Sequence, residues 1–211
     1  LARYVCQNTP DADELHEKFL EVMNREEQPL ILTYAAGIMG GTGFAVFFGC
    51  GLMDALVAAL VSLMIVFVGN WLGKRESNLL IYNLILAFLA EVVIIGMDFL
   101  GIGTHQDRIM IGIVMLLISA LSTTNGIREI LQRDFLSGLI NIMNSILGAA
   151  GIAFGIAIAM RLLGGGDSDG YVLNHNVGIQ LISCTVACVG FALWFKIKGK
   201  QVIYSGIGAF F

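Results

Sequence analysis

The sequence predicts an all-α, polytopic membrane fold, on three observations. Of its 211 residues, 57% are hydrophobic and only 13% charged, where a soluble domain carries about 25% charged residues. Apolar runs of bilayer-crossing length recur along the chain, with a mean hydropathy of +0.82, which separates it from a globular domain with one large core. The cationic residues also alternate between successive connections, as they do when a chain threads a membrane.

Residues 1–29 form the one soluble-looking stretch. Thr9-Pro10-Asp11 reads as a helix cap with proline in the first turn. Leu15, Phe19, Val22 and Met23 then recur at helical spacing among Glu14, Glu17, Lys18 and Glu21. A short amphipathic linker helix is expected there. Apolar segments follow at 30–48, 53–68, 79–97, 109–121, 139–163 and 177–195, and a seventh begins near Gln201. The expected organisation is a cytoplasmic linker helix (1–29), a five-helix transmembrane half (30–163), an extracytoplasmic linker (164–176) and the opening of a second transmembrane half (177–211). The chain starts at Leu1 and stops at Phe211 inside an apolar run, so both ends are read as cut.

Charge placement sets the expected direction. Arg3, Lys18, Arg25, Lys74, Arg75, Arg128, Arg133, Lys196, Lys198 and Lys200 fall on one set of alternate connections, and only Arg108 and Arg161 on the other. The positive-inside rule then puts the N-terminus in the cytoplasm and the 49–53 hairpin outside, in a plasma membrane. Cys50, in that hairpin, is the natural position for testing sidedness by labelling. A full crossing is implied for 109–121, although that run covers only about 20 Å of a hydrocarbon core about 30 Å thick.

One internal repeat is visible. Gly43-Phe44-Ala45-Val46-Phe47-Phe48 matches Gly190-Phe191-Ala192-Leu193-Trp194-Phe195. Five segments lie from one copy to the next, an odd number, so the copies enter the membrane in opposite directions. An inverted-topology repeat is a common transporter plan.

Polar residues within apolar runs mark where chemistry can sit. Glu91 lies about twelve residues into the third segment, where insertion scales put a carboxylate at roughly 2.5–3.5 kcal/mol. It should face the bundle interior, either as a proton-coupling or amine-binding group or as an interhelical hydrogen-bonding residue. Asp54 leads the second segment, either as a cap suited to the positive end of a helix or as a residue of the substrate and ion pathway. After the fourth run comes the cluster Ser122, Thr123, Thr124, Asn125, Arg128 and Glu129. Its i,i+4 pairs Thr124–Arg128 and Asn125–Glu129 offer hydroxyl, amide, cationic and anionic groups to a zwitterionic solute, or form an ordinary solvated helix end. Asn141, Asn144 and Gly148 share one helix face by spacing, to line a cavity or to bond between helices.

Other classes of function are poorly served. A net charge of -4 and the lack of a basic stripe argue against nucleic acid. H-E-x-x-H, G-x-S-x-G and P-loop motifs are missing, so no enzyme, catalytic residue, metal or cofactor is expected. Gly164-Gly165-Gly166-Asp167 lacks a partner aspartate motif and reads as a linker. Cys184 and Cys188 lie one turn apart in an apolar run and read as small packing residues.

Two stretches, 43–64 (GFAVFFGCGLMDALVAALVSLM) and 113–139 (IVMLLISALSTTNGIREILQRDFLSGL), resemble the threonine/serine exporter family. The first is similar to that family's glycine-rich turn and aspartate-led helix. In the second, Thr124, Asn125, Ile127, Arg128, Asp134 and Gly138 match its Thr-Asn-x-Ile-Arg-Asp and Gly-Asp-x-x-x-Gly pattern, with Glu129 for aspartate. Leu116-Leu117-Ile118-Ser119-Ala120 stands where the family has Pro-Leu-(Val/Ile)-Pro-Gly, which leaves open whether the chain breaks there. Arg133 stands where glycine is usual. The resemblance implies ten helices in two five-helix halves, the second half in the same or a separate chain. It also implies secondary export of small hydrophilic solutes such as threonine and serine, with H+ as coupling ion. Export of small dicarboxylates and a non-transporting scaffold subunit are the alternatives.

Overall fold

The computed structural model describes residues 12–23, 29–76, 78–103, 105–118, 120–164, 177–195, 197 and 200–209, and every regular element among them is a helix. The expected Thr9–Asp11 cap, and the 164–176 linker apart from Gly164, lie outside the described residues. The chain divides into two compact units, 1–30 and 31–211. In the first, α1 (Ala12–Met23) is the expected amphipathic helix, with Asp13 and Glu14 in its first turn, where acids suit the helix dipole.

The second unit is the membrane bundle. It contains α2 (Leu30–Phe47), α3 (Leu52–Leu72), α4 (Leu79–Phe99), α5 (Gln106–Leu117), α6 (Ala120–Leu131), α7 (Phe135–Leu163), α8 (Val177–Trp194) and α9 (Lys200–Gly208). Five of these are long and apolar enough to span a bilayer: α2, α3, α4, α7 and α8. The α5–α6 pair makes a sixth if its two bent pieces form one span.

Several ends follow directly from local chemistry. The α2–α3 hairpin closes on Gly49 at φ 90, with Cys50 N–H donating to Ala45 O and Gly49 N–H to Val46 O. That is the paired bonding of a Schellman stop, and it favours a residue without a Cβ at the left-handed position. Asn78 caps α4 by accepting from Leu80 N–H, and Asp134 caps α7 by accepting from Ser137 N–H. Several expected limits move, the 109–121 segment for one being a helix over Gln106–Leu117. α3 runs on through Asn70 to Leu72, and α7 starts at Phe135, because Asp134 rather than the first apolar residue determines the start.

Helix directions can be read from which residues the glycines touch. A Cβ at Gly148 would meet Leu79 and Asn83, and one at Gly155 would meet Leu84 and Phe88. α4 and α7 therefore run parallel. Since α4 leaves at one membrane face and α7 enters at the opposite one, the chain between them must return across the bilayer. That makes α5 plus α6 a traverse, as the charge alternation required. Antiparallel packing of α2 on α8 agrees, since Gly37 lies on Trp194 and Gly43 on Ala187.

The apolar core sits among α2, α3, α4 and α5, around Val57, Val61, Ile65, Leu86, Ile94, Ile109 and Ile113. Packing between helices in lipid gains little from hydrophobicity, so it rests on close backbone approach at small residues. Gly151 and Gly155 of α7 lie directly on the α4 backbone at Leu80, Leu84 and Phe88. Gly151→Leu should lower stability by at least about 1–3 kcal/mol through overpacking, read as a reduced melting temperature in detergent. Gly96→Ala, where nothing lies within 4 Å of the new Cβ, should leave it unchanged or raised.

Candidate functional site

The candidate residues sit at three levels of the bundle. The first is the end where α2 meets α3 and α4 meets α5. Asp54, 3% exposed, accepts from Gly51 N–H at 3.2 Å and lies 2.9 Å from His105 Nδ1. Arg108 Nη1 donates to Gly49 O at 2.7 Å, and Gln106 Nε2 donates to Asp98 Oδ2 at 2.7 Å. Asp54 thus has the capping role its position suggested, and it also ties the two loops together through His105. Neither His105 nor Arg108 was singled out in the sequence, because their partners lie some fifty residues away.

Cys50 is buried beneath this network, at 5% exposure. Burial pushes its thiol up to about 12, the Asp54 carboxylate adds to the rise, and the Arg108 guanidinium opposes it. The labelling position suggested by sequence is therefore shielded, because the hairpin folds its middle residue inward.

Glu91 occupies the middle level. Its side chain is 0% exposed, and neither carboxylate oxygen has a hydrogen-bond partner among the described residues. It faces the interior as expected, but without the interhelical hydrogen bond that the structural alternative required. Such a group is carried at far lower cost as the neutral acid than as a bare carboxylate. About two turns toward the start of α4, Asn83 Nδ2 donates to Gly148 O at 3.2 Å. Ser62 of α3, also fully buried, donates to Ala58 O at 2.7 Å. Asn83 and Ser62 were missed; each is an isolated polar residue in an apolar window, the same signal that picked out Glu91.

The third level is the α6–α7 hairpin. α5 stops at Ile118, whose ψ of 126 is extended, and the helix axes on either side differ by 49°. The chain breaks here without the two prolines. α6 then turns over α7 so closely that a Cβ at Gly126 would lie 2.9 Å from Gly138 O. Ser122 Oγ donates to Asn141 O at 3.0 Å, and Thr123 Oγ1 lies 2.6 Å from Ser145 Oγ. Glu129 Oε2 accepts from Asn141 Nδ2 at 2.7 Å and from Ser137 Oγ at 2.9 Å. Six polar side chains thus bond α6 to α7.

Thr124, Asn125 and Arg128 take the other side of α6 and are exposed. Asn141, Asn144 and Gly148 do not share an environment: Asn141 faces α6, Asn144 is exposed and Gly148 is buried on α4. Gly148 lies at the first turns of α4, so roughly three and a half turns of α7 extend past it toward α6. Measured along that direction, Glu91 and the α6 cluster are about 25 Å apart at ~1.5 Å per residue. The structure does not bring them together.

A family model described as "Putative threonine/serine exporter" matches residues 1–163. The chain belongs to this family. It is accordingly a multi-pass membrane protein of a transport family, and the resemblance read from the Asp54-led helix and the Thr124–Asn125–Arg128 segment holds. Comparison with curated proteins and with solved structures gave no match. The family's usual glycine before Asp134 now has a physical reason. Arg133 sits at φ 70, where Asp134 N–H donates to Glu129 O and Arg133 N–H to Ile130 O. This is a Schellman stop built on a non-glycine residue.

Two outcomes follow. Arg133→Gly should stabilise the α6–α7 hairpin by about 1 kcal/mol, the cost of a left-handed non-glycine residue, measured by thermal unfolding in detergent. Maleimide should modify Cys50 at pH 7.5 at least about a hundredfold more slowly in the folded protein than in the denatured one. The rate should keep rising with pH beyond 9, because the reactive thiolate appears only toward the raised value.

Proposed function

We propose that the chain exports small hydrophilic amino acids of the threonine and serine type by secondary active transport, with H+ as coupling ion carried on Glu91. The observation supporting the coupling role is the state of Glu91 itself, fully buried at mid-helix with both oxygens unpartnered. Asp54 and Glu129 have hydrogen bonds that account for their retention in an apolar bundle. Glu91 has none among the described residues, and an intramembrane acid of that kind marks a functional site by default, with proton relay among the roles such acids take. Asp107, half-buried in the first turn of α5, offers a carboxylate through which a proton arrives in this reading.

Thr124, Asn125 and Arg128 make the solute contacts in this reading. A hydroxyl, an amide and a guanidinium suit a zwitterionic hydroxy-amino acid, with Arg128 taking its carboxylate through paired N–H donors. Glu129, Asn141, Ser122 and Thr123 hold α6 in place rather than touching solute. We place this end of the bundle in the cytoplasm, in a plasma membrane, because Lys74, Arg75, Arg128 and Arg133 collect there and Arg108 and Arg161 at the other. A second transmembrane half, in the same or another chain, completes the pathway.

The test is uptake and counterflow of labelled threonine and serine by the full-length protein in proteoliposomes. Glu91→Gln should abolish movement driven by a pH gradient and preserve counterflow. Asn125→Ala should raise KM about tenfold, the worth of one hydrogen bond to a charged group. Uphill transport undiminished in Glu91→Gln would remove the coupling role. Absence of threonine and serine movement in the unmodified protein would remove the substrate.

A further inference from the structure

The Gly43–Phe48 repeat lies apart from both Glu91 and the α6 cluster. In the structure it extends well beyond six residues. α2 (Leu30–Phe47) and α8 (Val177–Trp194) begin and end at positions separated by the same interval that separates Gly43 from Gly190. Both helices stop in the same way. Cys50 N–H donates to Ala45 O at 3.1 Å, and Ile197 N–H, at the equivalent position, donates to Ala192 O at 3.0 Å. A short connection and a further helix follow each, α3 in one case and α9 in the other.

The contacts between the two helices also map onto one another. A Cβ at Gly43 would lie 2.9 Å from Ala187 N, and one at Gly190 would lie 2.7 Å from Gly40 N. In the repeat Gly190 is equivalent to Gly43, and Ala187 to Gly40, so these two contacts exchange when the copies exchange. Phe44 and Phe191 are equivalent to each other, and their rings meet edge to face at 5.3 Å. A pair that maps onto itself lies on a two-fold axis. The helices are antiparallel, so that axis lies in the plane of the membrane. On the outer helices the match is looser: α3 places Ser62 on Gly41, and α9 brings Ser205, one turn short of the position equivalent to Ser62, to the carbonyl of Cys188, the equivalent of Gly41, at 3.4 Å.

We propose that α8 and α9 are an inverted second copy of α2 and α3, related to them by a pseudo-two-fold axis through the Phe44–Phe191 contact. The α2–α8 crossing is then the interface between two units of opposite orientation, with small residues on both sides so that the backbones meet. The partner that fits the rest of this face is a helical unit of the same plan, inverted. This inference does not depend on Glu91 or on the solute, and it can fail or stand by itself.

The symmetry requires one further contact. Gly37 lies on Trp194, and exchanging the copies turns that pair into Cys184 and Phe47. In full-length protein with its other cysteines replaced, Phe47→Cys should form a disulfide with native Cys184 under mild oxidation. It is read as a linked peptide by mass spectrometry, lost on Cys184→Ala and missing for Val46→Cys. A second measurement needs only single surface cysteines. In intact cells, Met53→Cys and Ile197→Cys should react with a membrane-impermeant maleimide from opposite sides. Labelling of both from one side would overturn the inversion, as would a linked peptide for Val46→Cys and none for Phe47→Cys.

Discussion

Direct backbone contact at glycine holds this bundle together. Hydrocarbon offers helices no hydrophobic reason to associate, so what remains is dispersion, weak polar contact and the entropy of released lipid. All three grow as two backbones approach. Gly43 on Ala187, Gly190 on Gly40, Gly112 on Ala45, Gly126 on Gly138 and Gly155 on Leu84 place main chain against main chain at four separate crossings. These contacts fix the helix directions, and so decide that α4 and α7 are parallel and that α5 and α6 form one traverse. A side chain at any of these positions would have to displace backbone rather than a mobile neighbour.

Within that framework the buried acids Asp54 and Glu91 and the half-buried Glu129 divide by their partners. Asp54 has a backbone N–H and His105; Glu129 has Asn141 and Ser137. Both can be accounted for by what they hold in place: two loops at one end and the α6–α7 hairpin at the other. Glu91 holds nothing. Its burial is as complete as that of the core residues Val57 and Ile113, yet it is a carboxyl group. This contrast within one chain is more informative than burial alone, because it separates acids retained for structure from the one that structure does not explain.

The break at Ile118 shows how a feature can persist after its usual cause is gone. Proline would end α5 locally. Here the alternative bonding of α6 supplies the cause: Ser122, Thr123 and Glu129 find partners on α7, and Gly126 fits against Gly138, only if α6 turns away from the α5 axis. The polar cluster is thereby split. One side fastens α6 down, and the other, with Thr124, Asn125 and Arg128, faces outward.

Much of this was legible in the sequence because it is decided locally. Runs of apolar residues long enough to satisfy their own backbone in lipid had to be helices. Caps such as Asn78 and Asp134, and the stop at Gly49, are set within a few residues. The long apolar spans followed from length and composition, and the Gly43 repeat was visible as a string. Tertiary structure alone decided which polar groups meet. Nothing within the neighbourhood of Asp54 announces His105, nothing near Glu129 announces Asn141, and spacing placed Asn141, Asn144 and Gly148 on one face although each meets a different environment. Helices of nearly equal hydrophobicity carry no local label for their neighbours. Which neighbours they take is settled by where backbones fit, and that exists only once the bundle has formed.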